Sequence, residues 1–463
     1  MLLTANSLAS ATLIRTDVNE EMLESVREDF PALKRLRNGK PPIYFDNACT
    51  TLVPKQVIEE ITDYYTKYPA CGEKRSKYWF AKEVTRRIEG DLGSGVEGSR
   101  KAIRDFIGAR SEKEIIFTSN TTHAINMVAL GFRFHPGDRV LLTDMEHNSN
   151  LIPWLRLQRE GPIEVNCIKS RSDHFDLQDF DENLERGKVK LVSMGYTSNL
   201  TGYTIPAKEI IAIAHKHGAR VLLDAAQTVP HRSINVHDLD VDFLAFSIHK
   251  MCGPRGVGIL YAKEELLGRK PHEEDETGVI EPCIVGGGVV SDSTCDSYNL
   301  LESPERFEAG VQNYSGQIAA GAAVKYLDRI GMDRIGVHEY ELNSYLTEQL
   351  LNRYGDKQWF RILGSRDVIE RGGILTFEVK QPNSMGIAEE LDDRSNVMIR
   401  DGAFCVHSYL NKEFGQGWAM PRLQTEHRML YRISLYFYNT KEECQTFLDT
   451  LGKIFDERGY AQG

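Results

Sequence analysis

From residue 114 to residue 262 the sequence alternates short, continuously apolar runs with longer helix-patterned stretches. No other feature restricts the fold as much. "EIIFTS" precedes "THAINMVALGF", "DRVLLTD" precedes "NLIPWLRLQRE", and "KVKLVSMGYTS" leads to "IPAKEIIAIAHKHG" before "ARVLLDAA" and "VDFLAFSIHK". Alternation of this kind predicts an α/β domain with a largely parallel sheet. Runs such as "RVLLDAA" lack polar alternation, as expected of strands covered on both faces. Upstream, residues 55–68 and 83–106 carry apolar residues at helical spacing. After about residue 262 the pattern changes. "HEEDETGVIEP" is acidic, "VGGGVVSDSTCDS" reads as loop, and "SGQIAAGAAVKYLDRIG" predicts a helix crossing toward a second domain. "GGILTFEVK", "GIAEELDDRS", "MLYRISLYFY" and "KEECQTFLDTLGKIFDERG" predict a smaller α+β domain. The expected division is 41–305 for the large domain, with 1–40 and 306–463 forming the small one.

The 463 residues favour two or more domains, and 41% hydrophobic with 27% charged residues is the balance of a soluble globular protein. A net charge of −11 argues against a nucleic-acid partner. No apolar run reaches membrane-spanning length; even "VLLDAAQTV" is interrupted by Asp224. The start, "MLLTANSLASATLIRTDV", lacks a basic segment ahead of a long apolar one, so no secretory signal is expected. Eight cysteines (Cys49, Cys71, Cys167, Cys252, Cys283, Cys295, Cys405 and Cys444) include no CxxC pair. They read as reduced thiols of a cytoplasmic protein, with no metal site expected.

Ligands of open α/β sheets gather beyond the C-terminal strand ends, and several polar residues fall there. "FTSNTTHAIN" sets Ser119, Asn120, Thr121 and Thr122 between a strand and a helix. Free N–H groups and hydroxyls at that helix start suit a phosphate, and ordinary capping explains them equally. His147 follows "DRVLLTD" in a loop, where a structural role is the commoner one. Asp224 and Gln227 end an apolar run; a carboxylate there needs a partner, which a protonated ring nitrogen or a local cap would supply. Ser247, His249 and Lys250 close "FLAFSIHK" just before a glycine-rich turn. No early strand–GxGxxG–helix unit appears, which argues against a dinucleotide-binding dehydrogenase.

Taken in order, these motifs resemble those of the pyridoxal-phosphate (PLP) enzymes of aminotransferase class V, within them the cysteine desulfurase/selenocysteine lyase group. The resemblance runs from "VREDFPALKRLRNGKPPIYFDNACT" through "FTSNTTHAIN", "MEHNSNLIPW", "TSNLTGYTIP", "DAAQ", "SIHKMCGPRGVGILY", "VGGG" and "RFEAG" to "YRISLYFYNTKEE". It implies the aspartate-aminotransferase-like PLP transferase fold, with a mostly parallel seven-stranded sheet in a large domain plus a smaller α+β domain. By the same resemblance Lys250 is the Schiff-base lysine and proton carrier, Asp224 pairs with the pyridine nitrogen, and His147 stacks on the ring. Gln227 reaches the phenolic oxygen and Asn199 lies near that oxygen or the substrate carboxylate. Thr121, Thr122, Ser247 and His249 hold the phosphate, and Arg432 clamps the substrate carboxylate.

Cys405 lies in "IRDGAFCVHSYL", residues 399–410, where Arg400, Gly402 and Cys405 match the family's mobile-loop cysteine. The implied activity is cysteine desulfurase (EC 2.8.1.7-like). L-cysteine becomes L-alanine, and a Cys405 persulfide hands sulfur to a protein or small-thiol acceptor, as in iron–sulfur cluster assembly. A homodimer is implied as well. Selenocysteine lyase, cysteine or cystine β-lyase, and another class V enzyme are the alternatives. Ala403 and Phe404 replace a pair that is usually polar, and Val311 and Gln312 stand where relatives carry Thr-Pro. That loses a phosphate-binding hydroxyl, for which Gln312 or Asn313 could compensate. Residues 411–429 read as a lid, an acceptor-docking surface or a loop.

Overall fold

The chain enters its first sheet pairing through a short strand, β1 (Ile43–Tyr44), and the alternating region then supplies seven strands of one sheet. These are β2 (Ile115–Thr118), β3 (Arg139–Thr143), β4 (Glu164–Ile168), β5 (Val189–Gly195), β6 (Arg220–Asp224), β7 (Phe243–Ser247) and β8 (Gly258–Ala262). The computed structural model describes residues 20–72, 76–91, 93, 95–161, 163–170, 174–268, 280–381, 383–415 and 428–460. Strand order is β2-β8-β7-β6-β5-β3-β4, with β8 antiparallel to both its neighbours and every other pair parallel. The expected α/β architecture with a mostly parallel seven-stranded sheet is therefore present.

The absence of polar alternation has its expected cause. Ile116, Leu222, Phe243, Ala245 and Leu260 face one apolar core, while Phe117, Val221, Leu223, Leu244 and Ile259 face another on the opposite side. Only β4, at the sheet edge and largely exposed, lacks that signal, and its polar sequence "EVNCI" does not read as a strand.

A hairpin, β9 (Val290–Ser293) with β10 (Tyr298–Leu300), follows where the sequence reads as loop. Its strands are almost wholly exposed, so no apolar pattern marks them. A second, antiparallel sheet comprises β11 (Phe360–Ile362), β12 (Ile374–Val379), β14 (Arg400–Asp401) and β15 (Met429–Ser434) in the order β11-β12-β15-β14. The short β13 (Val397–Met398) pairs in parallel with β1. Helices Met332–Tyr354 and Lys441–Glu457 supply Leu346, Leu350, Phe447 and Leu451 to the core of this second sheet.

Three segments differ from their sequence-based assignment. Helical spacing over 83–106 is divided between helices Trp79–Glu89 and Ser99–Ile107, because the backbone turns back on itself between Gly90 and Gly98. A Cβ on Gly98 would lie 2.3 Å from the Gly90 nitrogen, which is why glycine stands there. Helix Tyr314–Ile330, expected in the small domain, buries Ile318, Ala323 and Leu327 in the core of the large sheet. Val26, Phe30 and Leu33 of the N-terminal region join that same core, whereas Ile43 and Phe45 belong to the second one. An amphipathic stripe specifies that a face is buried, not which sheet buries it.

The return from β7 to β8 positions the end of the sheet at which Ser247, His249 and Lys250 lie. Ser247 pairs with Gly258 across the ladder, and a Cβ on Gly258 would meet the Asn120 Cα at 2.5 Å. That contact is with backbone, which cannot swing aside. Gly258→Ala is expected to cost about 1–3 kcal/mol by overpacking, measured as a fall in the urea-unfolding midpoint at unchanged slope.

Candidate active site

At the C-terminal strand ends a cavity of about 340 Å³ opens, lined among others by Thr121, Thr122, Glu146, His147, Asn199, Asp224, Gln227, Ser247, His249 and Lys250. Nine of the eleven residues singled out in the sequence thus share one enclosure, although they come from five separate loops. The other two, Cys405 and Arg432, are tied to its rim. Asn148 N donates to the Cys405 carbonyl at 2.8 Å, and Asn199 Nδ2 donates to the Phe404 carbonyl at 2.8 Å. Arg432 Nη1 donates to the Asn199 carbonyl at 3.0 Å, and its guanidinium lies 4.9 Å from the centre of the Phe404 ring.

Each element end presents its residue through local chemistry. Asn120 caps helix Thr121–Gly131 by accepting from His123 N, which holds the two threonines in the first turn. Thr121 N donates to Ser247 Oγ at 2.8 Å, and the Thr121 and Ser247 hydroxyl oxygens are 2.6 Å apart. Thr122 Oγ1 pairs with Ser149 Oγ at 2.7 Å. His147 caps helix Asn148–Glu160, its Nδ1 accepting from Ser149 N at 3.1 Å. Asp224 Oδ1 accepts from Ala226 N at 3.0 Å. The capping roles weighed from sequence are therefore real, and the same side chains line the cavity.

Burial dominates the electrostatics. The Lys250 ammonium is pushed below its ordinary range by desolvation, against the opposing pull of Asp224. Asp224 is pushed upward, again by desolvation first. The His147 imidazole is lowered to about 4 by burial and by the charges of Lys250, Arg432 and His407, so its ring is neutral at physiological pH. His249 falls to about 4 for similar reasons, and its buried Nδ1 has no hydrogen-bond partner.

A phosphorylated pyridine aldehyde fits this donor set. Hydroxyls of Thr121, Thr122 and Ser247 converge at a helix start beside the unpartnered His249 Nδ1, which suits a phosphate. A buried carboxylate at Asp224 suits a protonated ring nitrogen, and Lys250 sits in the same cavity as a half-buried, partly desolvated amine. Gln227 lines the same cavity. Its Nε2 donates to the Ala48 carbonyl at 2.7 Å, and its Oε1 is left buried without a partner. Gln312 Nε2 donates to the carbonyls of Glu308 and Ala309, and Asn313 Nδ2 to that of Gly256. Both amides are thus engaged locally beside the exposed Val311.

Two acidic residues were not singled out from sequence. Asp46 lies between Arg432 Nη2 (3.0 Å) and Arg400 Nη1 (3.2 Å), and only folding shows these pairs, since its partners lie more than 350 positions away. Glu146 is buried behind His147, accepting from Thr143, Asn150 Nδ2 and Gly195 N. Its position next to the singled-out histidine in "MEHNSN" was the available signal. The 411–429 stretch lies mostly outside the described residues, but Arg428 stacks 4.9 Å above the Phe414 ring, so its two described ends meet.

Fold and site together define a PLP-type α/β enzyme, and the family pattern described as Aminotransferase class-V matches residues 43–447. The chain belongs to that family, and within it to the cysteine desulfurase group. It is 35% identical over 432 residues to a "Probable cysteine desulfurase" of Synechocystis sp., covering 92% of this chain and 94% of that protein. A protein of the same description from Pyrococcus abyssi is 34% identical, with 93% and 97% covered. Among solved structures, the apo cysteine desulfurase of Thermococcus onnurineus superposes with a TM-score of 0.80 at 34% identity, covering 94% of this chain and 98% of that one. The Escherichia coli cysteine desulfurase CsdA gives 0.77 at 26% identity, covering 94% and 98%.

Glu146 generates a pH prediction. Burial raises its carboxyl to about 7, well above the ordinary glutamate range. Its proton is therefore held more tightly in the folded state. The associated stability is complete below the unfolded pKa and is lost as pH rises through about 7. Across that window the loss amounts to about 3 kcal/mol. Urea unfolding of the wild type and Glu146→Gln between pH 4 and 8 should show the variant gaining on the wild type by that order as pH rises.

Proposed function

We propose that this protein is a cysteine desulfurase that converts L-cysteine to L-alanine and carries the released sulfur as a persulfide on Cys405. The observation that supports this most is the placement of Cys405. It is exposed, its carbonyl is held by Asn148 N, and it adjoins the cavity that contains Lys250. Phe404 and Cys405 both have left-handed backbone, with φ of 50° and 58°, which non-glycine residues adopt seldom.

PLP, when bound, supplies an aldehyde that condenses with the substrate amine and a ring that withdraws electrons from Cα. Thr121, Thr122, Ser247 and His249 would hold its phosphate, Asp224 its ring nitrogen, and Lys250 its aldehyde carbon. Desolvation increases the neutral fraction of the Lys250 amine, which suits it to take the Cα proton and later return one. Neutral His147 offers an uncharged face for stacking. The Arg432 guanidinium, buried beside Asp46 and Asn199, lies where a substrate carboxylate would be drawn. Cys405 sulfur attacks the substrate sulfur, and the substrate's carbon–sulfur bond breaks with its electron pair staying on carbon. Protonation of that carbon gives the alanine methyl group.

The reading extends to a homodimer that hands sulfur to a protein or small-thiol acceptor in the cytoplasm. Exposed Ile284 and Val311, the latter 81% exposed, border one groove, and this apolar surface supports association. Eight free thiols accord with a reducing compartment.

Incubation with L-cysteine and PLP, followed by peptide mass spectrometry and alanine assay, tests the proposal. Persulfide on Cys405 with matching alanine is the expected result; pyruvate and ammonia with unmodified Cys405 would identify a β-elimination lyase instead. Lys250→Ala should retain no cofactor after borohydride reduction and form no alanine. Cys405→Ala should keep the cofactor and lose the persulfide, and sulfide release at the full rate from that variant would overturn the assignment.

A further inference from the structure

A second cavity, of about 400 Å³, adjoins the active-site cavity, and Thr197 and Gln227 line both. The reaction outlined above gives it no part. Its walls are helix Met332–Tyr354, the turn ahead of β12 and the segment that follows β6.

Two of its lining residues are arginines that lack a counter-charge. Arg371 is 1% exposed; its Nη2 donates to Thr347 Oγ1 at 2.6 Å, while Nε and Nη1 are buried without a partner. Arg232 is half-buried, and among the described residues its guanidinium has neither an ion pair nor a hydrogen bond. The Arg232 Nη2 lies 3.5 Å from where a Cβ on Gly372 would stand, which places it at the turn that follows Arg371. The buried acid of the lining, Glu339, is engaged by His231 Nδ1 at 2.8 Å. Desolvation pushes both arginines below their ordinary range, Arg371 to about 10. Filling space would not require this, since an apolar side chain fills it without the cost of an unpaired buried charge.

The rest of the lining restricts the kind of anion. Glu209, Asp238 and Asp333, all exposed, border the same cavity and disfavour a multiply charged ligand. Lys208, also exposed, offsets only one of them. Ile234, Met332, Val337 and Ile374 supply apolar lining. We propose that this cavity binds a small organic monocarboxylate. The carboxylate pairs with Arg232 within the field of Arg371, and the hydrocarbon body packs on Ile234, Met332, Val337 and Ile374. A planar guanidinium matches a carboxylate through two parallel hydrogen bonds, and the ligand supplies the charge that the wall lacks. This site is independent of the desulfurase reading, since none of these residues takes part in that chemistry.

Calorimetric titration of the PLP-loaded protein with acetate, butyrate, phenylacetate and phenylacetamide tests the proposal. Phenylacetate should bind more tightly than acetate, and the neutral phenylacetamide at least about tenfold more weakly than phenylacetate, as expected for loss of a charge-assisted hydrogen bond. Arg232→Gln should weaken phenylacetate by a similar factor. Gly336 lines the cavity from helix Met332–Tyr354, and a Cβ there would have the His231 carbonyl as its nearest neighbour, at 3.7 Å. Gly336→Leu is therefore accommodated by the helix and should occlude the site, abolishing binding. A crystal of the phenylacetate complex should place the carboxylate at Arg232. A carboxylate at Arg432 instead would overturn the assignment. So would equal affinity for acid and amide, full affinity in both variants, or failure of all three carboxylates to bind.

Discussion

The carboxylate of Asp46, set between Arg432 and Arg400, is the interaction on which the rest of the arrangement depends. Arg432 is only 2% exposed, and a guanidinium so placed needs an adjacent negative charge. The two arginines are register partners on neighbouring antiparallel strands, β14 and β15, while Asp46 arrives from the far end of the sequence. The short run from Ile43 to Thr51 thereby spans both cores. It pairs with Val397 and Met398 at one end and with the His249 carbonyl, next to Lys250, at the other. The groups that would bind the substrate carboxylate and those that would hold the cofactor are consequently fixed to one another through the backbone.

The site achieves its reactivity by withholding water. Lysine is pushed down while aspartate and glutamate are pushed up, and the largest cause in each case is desolvation rather than a neighbouring charge. Histidines 147 and 249 follow the same rule and are held neutral. An enclosure of this kind favours uncharged forms of its own groups, which leaves proton-transfer partners ready without an elaborate set of compensating ions.

How much of this was legible in the sequence depended on whether the information was local. Strands covered on both faces declare themselves as unbroken apolar runs, and polar residues at their ends, such as Asp224 and Lys250, point to the ligand edge of the sheet. The edge strand β4 and the exposed β9–β10 hairpin carry no such pattern and were passed over. Helix Tyr314–Ile330 was legible as a helix but not as part of the large core, because an apolar face does not name its partner. The same limit explains the site. His147 could be located by its motif, but the Asp46 pairs and the Gln227–Ala48 contact exist only between sequence-distant residues. The motif order brought out the family, while the hydrogen bond from the Gln227 amide to Ala48 exists only in the folded chain.

The sheet order has a consequence for how the chain can assemble during synthesis. Strand β2 has a single neighbour, β8, and Thr118 is paired with Gly258. Until β8 has left the ribosome, β2 has no ladder to join, and helix Thr121–Gly131 lacks one of the strands against which it packs. The Thr121–Ser247 hydroxyl pair and the close fit of Gly258 against Asn120 both lie across that late seam. Strands β3 to β7 can pair among themselves beforehand, since within that group only β7 has a partner outside it, β8. Insertion of β8 is thus the event that both closes the sheet and completes the phosphate-facing end of the cavity, so a nascent chain interrupted before it has a sheet but no cradle.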